Sequence, residues 1–520
     1  MSSPNLRIGV DVGGTNTDAV VIDPAGNLLA KTKVGTTQDV TGGINAAIKA
    51  VLSDKLSAVD VSHVMIGTTH ATNAVLERRG LGRVAVVRIG GPSSNAIRPL
   101  FGWPADLRRA VSIGECIVDG GAELDGREII PFDADAMARF LGTRDEQVDA
   151  VAITSIFSPV SDEHELAALD VVRRELGADV HVSLSHEIGA LGLLERENAT
   201  VLNEALVGVA HGVIGALTQA LADNGLGDAV VYFAQNDGTL MALEFALHFP
   251  VLTIGSGPAN SIRGAAYLTG VTDALVADVG GTSTDIGVLA NGFPRESSLG
   301  VKIGGIDTNF RMPDLVSIAI GGGSVIRRRG GQTTVGPDSV GYRLPEEAAI
   351  FGGNQATLSD ATVAAGRARF GTHDLDPSLR ELLAEGLALA DHAVAEAVDR
   401  VKVSRGDMPM IAVGGGSVLL PDKIPGISEV HRPDHYDVAN AIGAAIGTVS
   451  GQVDRIFALD NFTRSDIIAE AIQQATERAV RAGADPKKVE VVGIEEIPLA
   501  YLTNPALRVK VKAAGPLGSL

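Results

Sequence analysis

Two short stretches of this chain have the residue types and spacing needed to hold a phosphorylated ligand. The first is Asp11-Val12-Gly13-Gly14-Thr15-Asn16-Thr17-Asp18, and the second is Asp278-Val279-Gly280-Gly281-Thr282-Ser283-Thr284-Asp285. Aligning 11–23 with 278–290 gives eight identities in thirteen positions. A glycine pair permits φ > 0 and lets backbone N–H groups approach a bulky anion. Thr15, Asn16, Thr282 and Ser283 add short donors at the turn. Asp11 and Asp278, at the strand ends, suit a Mg²⁺ ion, which takes oxygen ligands and keeps several waters. Asp18 and Asp285 put a second carboxylate across each turn. Taken alone, either stretch is equally a tight turn with an aspartate cap. The duplication points instead to two related units that face each other and grip the β- and γ-phosphates of a nucleotide.

Two further loops, Gly321-Gly322-Gly323-Ser324 and Gly414-Gly415-Gly416-Ser417, each follow an apolar run. A glycine loop leaving a strand can come close to a phosphate, ribose or base. The second loop is expected against the adenosine, with tight backbone packing as the plainer alternative. Neither the GxxxxGK[ST] phosphate loop nor the GxGxxG dinucleotide spacing accounts for these glycines.

The elements that must position these residues follow from short apolar runs. Leu6–Val12 and Asp18–Ile22 read as a hairpin, and Val61–Ile66, Val84–Ile89 and Val148–Ile156 as buried strands. Helical spacing covers Asp39–Leu52, Asp162–Leu176 and about Glu195–Leu221. Val230–Phe233 and Ala274–Val279 are strands, then come a helix over Leu379–Val403 and the strand Met410–Val413. Asp437 is expected to cap a helix over Val438–Val449, and a last segment carries the helix Arg464–Ala482 and strands near Val489–Ile494 and Leu507–Val511. Alternating strands and helices predict an α/β protein. The expected division is 1–190, 191–450 and a small α+β segment over 451–520.

Composition narrows the class. At 520 residues, two or three domains are expected. A net charge of −20 argues against a nucleic-acid binder, which needs a basic face. Cys116 is the single cysteine, so this chain alone forms no disulfide or cysteine-rich metal site. The N-terminus enters a strand without a signal-like apolar core, and no membrane span is predicted. A cytoplasmic location is the expectation.

Four segments together resemble the hydantoinase A/5-oxoprolinase family of ATPase subunits, within the actin-like superfamily. They are Gly9–Asp18, the run Thr68-Thr69-His70-Ala71-Thr72-Asn73-Ala74-Val75-Leu76-Glu77-Arg78, the loop Gly255-Ser256-Gly257-Pro258-Ala259, and Gly321–Val325 with Val335–Ser339 and Asp360–Arg367. The resemblance covers about residues 5–450, and it departs where the family has a PGPxCYG stretch and this chain has Leu344–Gly353. It implies two actin-like (ribonuclease H-like) domains facing across an ATP cleft. It further implies ATP with Mg²⁺, a hydantoin, 5-oxoproline or other lactam as substrate, and a B-type partner subunit that completes hydrolysis. Carried onto this sequence, it places Thr68, Thr69, His70, Thr72 and Asn73 along the substrate side of the cleft. Asp11, Asp18, Asp278 and Asn73 become the expected catalytic groups. A small-molecule kinase of the same fold, or a non-enzymatic nucleotide switch, would share both hairpins.

Overall fold

A computed structural model describes residues 5–14, 16–35, 40–52, 56–142, 148, 150–297, 300–402, 404–459, 463–499 and 506–518. Thr15, one of the expected phosphate donors, lies outside the described residues.

The architecture is mixed α/β. A nine-stranded sheet runs in the order Glu490–Leu499, Ala506–Gly515, Thr448–Ala458, Thr239–Ala242, Val230–Ala234, Val61–Thr68, Leu6–Val12, Asn16–Ile22 and Leu28–Gly35. A second sheet is built on Ala274–Val279, flanked by Thr284–Ala290 and Met408–Val413. A third, all parallel, joins Ser112–Asp119, Val84–Gly91, Ala150–Ser155 and His181–Leu184. The apolar runs that marked these strands are the buried ones: Val84–Gly91 and Ala150–Ser155 are buried along their whole length. That is the pattern of parallel strands covered on both faces.

Sheet membership crosses the division lines expected from sequence. Val230–Ala234 and Thr239–Ala242 join the sheet that begins at Leu6, and Thr448–Ala458 runs through the 450/451 line. The C-terminal strands extend this first sheet by antiparallel pairing of Val449–Ala458 with Ala506–Gly515. The expected helix over Val438–Val449 stops at Ala445, because Thr448 and Val449 are claimed by pairing with Thr239 and Leu240. Asp437 does not cap it; its carboxylate is 2.7 Å from Lys31 Nζ.

The helix Leu193–Asp223 is long and apolar enough, by length and composition, to cross a membrane, which the sequence reading did not single out. Its first half is the spine of the fold. Arg196, Glu197 and Asn203 are buried there, with Arg88 paired to Glu197 and Asn203 bonded to Ser183 and the His248 carbonyl.

Glycine sets how closely the two hairpin-bearing sheets meet. The helices Ser256–Thr269 and Ala439–Ala445 cross between them, and a Cβ on Gly264 would stand 1.8 Å from the Ala439 carbonyl oxygen. On Gly443 it would stand 1.9 Å from the Asn260 carbonyl, and on Gly9 2.2 Å from that of Ala441. Backbone cannot yield as a flexible side chain does. Gly443→Ala is therefore expected to cost at least the 1–3 kcal/mol or so typical of overpacking, read as a lowered urea midpoint. A midpoint equal to wild type would show that these helices have slack.

Candidate active site

Each hairpin folds in the same register. Asp11 pairs with Asp18 and Val12 with Thr17; Asp278 pairs with Asp285 and Val279 with Thr284. Each turn closes with the first glycine donating across it: Gly13 N to Asn16 O at 3.0 Å and Gly280 N to Ser283 O at 2.9 Å. Gly14, Asn16 and Thr282 are exposed at the tips. The expected left-handed backbone is absent, since Gly13, Gly14, Gly280 and Gly281 all lie outside the positive-φ set. Their lack of a side chain matters for space instead; a Cβ on Gly281 would meet nothing within 4 Å.

Neighbouring residues of one helix lie against the two aspartates. Ser261 donates to Asp278 Oδ2 at 2.5 Å. Asn260 sits beside Asp11: a Cβ on Gly67 would stand 2.3 Å from Asp11 Oδ1 and 2.5 Å from Asn260 Nδ2. Asn440, on the crossing helix Ala439–Ala445, donates to Asp11 Oδ2 at 2.8 Å. Asp11 Oδ1 and Asn260 Nδ2 are buried and have no hydrogen-bond partner. The symmetry extends to the next strand. Gly414 clears Asp278 as Gly67 clears Asp11, with its Cβ position 2.3 Å from Asp278 Oδ1.

Charge is concentrated here. Burial first, then the charges of Asp18 and Asp278, push the Asp11 carboxyl up to about 7. Burial raises Asp278 as well, and raises Asp285 to about 6. Burial raises Asp18 too, although Lys33 Nζ donates to both its oxygens at 2.5 and 2.6 Å and pulls the other way. Asp18 is thus a paired carboxylate at the root of the hairpin, and sequence reasoning missed the lysine that pairs it. Asn260, Ser261, Asn440 and Gly67 were missed too. Only the position of Asn260 and Ser261, directly after the Gly255–Ala259 loop, offered a signal.

The triple-glycine loops serve the second hairpin. Gly322 N donates to Gly280 O at 3.0 Å, Gly323 N to Gly281 O at 2.7 Å, and Gly416 N to Val279 O at 2.8 Å. Gly321 packs on the same backbone, its Cβ position 2.7 Å from Gly280 O and Thr282 N. Ser324 Oγ accepts from Gly321 N, so this loop is closed on itself. Those N–H groups are spent on protein carbonyls. Gly415 is the member of the second loop with open space beside it, and the Ser417 hydroxyl is buried without a partner.

The run from Thr68 to Asn73 ends one strand and starts a helix, His70–Glu77, against the first hairpin. Thr69 N and Oγ1 both donate to Val12 O at 3.2 Å. Thr68 and Ser256 are linked through Ser256 Oγ, and Thr72 Oγ1 donates to Ile254 O at 2.6 Å. These three threonines tie the segment into the fold. Asn73 Nδ2 faces the hairpin, 3.9 Å from the Cβ position of Gly14. His70 Nδ1 is 2.6 Å from Thr68 Oγ1. Of the expected substrate residues, His70 and Asn73 have side chains left for a ligand.

Among the described residues, no three His, Cys, Asp or Glu side chains converge as a preformed metal site. The donors present still fit Mg²⁺, which is held by one or two carboxylates plus water and phosphate oxygens. Asp11 Oδ1 is a buried carboxylate oxygen without a partner, with the carboxylates of Asp18 and Asp278 and the Lys33 ammonium near enough to shift it.

Comparison with known proteins identifies the family and the fold. Residues 7–176 match the hydantoinase/oxoprolinase N-terminal region and residues 196–370 the hydantoinase/oxoprolinase domain. The chain is 27% identical over 548 residues to caprolactamase subunit alpha of Pseudomonas jessenii, covering 92% of this chain and 76% of that one. It is 27% identical to 5-oxoprolinase 1 of Arabidopsis thaliana, where it covers 69% of itself and spans 31% of the relative. The solved ATP-dependent caprolactamase from P. jessenii shares the fold, with a TM-score of 0.75 at 22% identity over 99% of this chain and 89% of that one. The chain belongs to the hydantoinase/oxoprolinase family.

Proposed function

We propose that this chain binds ATP between its two hairpins and activates a cyclic amide for ring opening. The observation that carries the reading is that Asp11 and Asp278, from separate sheets, lie against adjacent residues of one helix, Asp278 bonded to Ser261 and Asp11 beside Asn260. The matching registers of the hairpins support two actin-like halves with the nucleotide phosphates between them. Activity toward a cyclic amide is supported by the relatives, whose names describe a caprolactamase and a 5-oxoprolinase.

Asp11 and Asp278 would hold Mg²⁺, which neutralises charge on the β- and γ-phosphates when bound with the nucleotide. The exposed hairpin tips present N–H groups to phosphate oxygens. Asn73, beside Gly14, lies at the boundary between hairpin and substrate and orients the ring. The γ-phosphoryl passes to the amide oxygen as its bond to ADP breaks. Water then adds to the amide carbon and the C–N bond breaks with a proton going to nitrogen, which leaves an acyl phosphate; a second water cleaves it, releasing phosphate and the carboxylate. ATP, two waters and ring become ADP, phosphate and an open amino acid. An unstrained amide is a poor electrophile, and phosphorylating its oxygen removes that resistance. A second, B-type subunit completing hydrolysis fits the subunit designation of the caprolactamase relative.

The test is ADP release from Mg²⁺-ATP by the full chain, with and without any co-purifying subunit, across lactams, hydantoins and sugars. Release stimulated by a cyclic amide, with the open acid formed in equal amount, is expected. A phosphosugar product would replace this reading with a kinase.

A further inference from the structure

Between the His70–Glu77 helix and the long helix Leu193–Asp223 lies a cleft lined by Thr68, His70, Leu206, Val213, Ile214 and Phe233 among others. Together with the open solvent at its mouth, it spans about 330 Å³. Its lining includes no Lys, Arg, Asp or Glu. We propose that this cleft seats the cyclic amide and selects rings that carry no charge, with His70 Nε2–H donating to the ring carbonyl. The inference rests on the ring-opening reading and adds the class of ring.

Thr68 Oγ1 accepts the His70 backbone N–H at 3.2 Å and lies 2.6 Å from Nδ1. With the hydroxyl donating to Nδ1, Nε2 is the nitrogen bearing hydrogen. Burial lowers the His70 pKa, so the ring is a neutral donor. The other hydroxyl in the lining, on Thr253, is already given to the Pro250 carbonyl at 2.8 Å. One donor and apolar walls match an amide oxygen on a hydrocarbon ring. A ring carboxylate entering the cleft loses its water and finds no cation, which is costly. His70 and Asn73 are three residues apart and therefore neighbours on one helix face. Asn73 reaches the first hairpin, so a carbonyl held by His70 sits one helical turn from the proposed phosphate site.

The matched probes are 2-pyrrolidinone and 5-oxoproline, the same five-membered lactam without and with a carboxylate. Binding of each is measured calorimetrically on the full chain with any co-purifying subunit, and ADP release is measured in parallel. The neutral ring is expected to bind about tenfold more tightly or better. Ala210 lines the cleft and is half-buried at its lip. Ala210→Arg is expected to raise 5-oxoproline affinity by about tenfold, a gain that a misfolded variant cannot produce. His70→Ala is expected to raise KM for the neutral ring about 3- to 10-fold, and His70→Gln, which keeps a neutral donor, to restore most of that loss. Equal binding of the two rings by the wild type, or no gain with Ala210→Arg, overturns the cleft assignment even if lactams stimulate ADP release. Charge-selective binding without lactam-stimulated ADP release supports the cleft and overturns the ring-opening reading.

Discussion

Asp11→Asn is expected to release ADP about 10²- to 10³-fold more slowly than the wild type, whichever ring is supplied, the range typical of losing one preorganised electrostatic group. The substitution keeps the side chain's shape and its contact with Asn440 while removing the charge. The size of the effect follows from how the site is charged. Asp18 and Asp278 raise Asp11, Asp278 raises Asp18 and Asp285, and Lys33 acts on Asp11, Asp18 and Asp278 in the opposite direction. Lys33 is committed to Asp18. Burial and its carboxylate neighbours push the Asp11 carboxyl up to about 7, and Mg²⁺ arriving with the nucleotide would favour its charged form. The apparent Mg²⁺ requirement should rise along with the loss of turnover. Thermal melting separates this from misfolding, because an amide in place of a carboxyl whose charged form burial disfavours leaves the free protein at least as stable. Asn440→Ala, which loosens Asp11 from outside, should cost about 10- to 100-fold, in line with other groups that orient metal ligands. Wild-type turnover in Asp11→Asn would remove Asp11 from the phosphate chemistry.

The legible parts of this site were the local ones. The Asp-Val-Gly-Gly-Thr repeat marked both hairpins because a turn and its strand partner lie within a few residues. The strands Val84–Gly91 and Ala150–Ser155 were marked by apolar runs that the structure buries completely. Leu28–Gly35 shows the period-2 alternation of a strand with one covered face, half-buried at Leu28, Ala30, Thr32 and Val34. That pattern was there to read, and it would have placed Lys33 opposite Asp18. Asn260, Ser261 and Asn440 gave no comparable signal. Their roles come from a helix crossing made possible by Gly264 and Gly443, between segments nearly two hundred residues apart. The triple glycines failed differently. Their composition announces close backbone approach, but not whether a nucleotide or the protein's own hairpin is approached. Here the amides of Gly322, Gly323 and Gly416 go to the hairpin. The same ambiguity holds for Gly414, which makes room for a carboxylate.

Glu197→Ala is expected to destabilise the protein by about 3–5 kcal/mol, the usual cost of leaving a buried charge without its partner. Arg88 and Glu197 form a two-pronged pair, Nε to Oε2 and Nη2 to Oε1, both at 2.7 Å, with side-chain exposures of 0% and 1%. The remaining capacity is used: Arg88 Nη1 donates to Ile97 O at 2.6 Å, and Glu197 Oε1 accepts from Leu100 N at 3.2 Å. This pair pins the parallel strand Val84–Gly91 to the long helix, whose next turns carry Leu206, Val213 and Ile214 to the cleft beside His70. Stability and substrate seating therefore share one support. The double replacement Arg88→Met with Glu197→Leu fills similar space without charge and should recover most of the loss, since an apolar pair can match a buried ion pair. Urea denaturation of the two single variants and the double one measures this directly. A Glu197→Ala loss below about 1 kcal/mol would mean that water reaches Arg88 and that the pair is not the pin described. A double variant that is stable but has a raised KM for a neutral lactam would place the helix's contribution in seating the ring, beyond holding the fold.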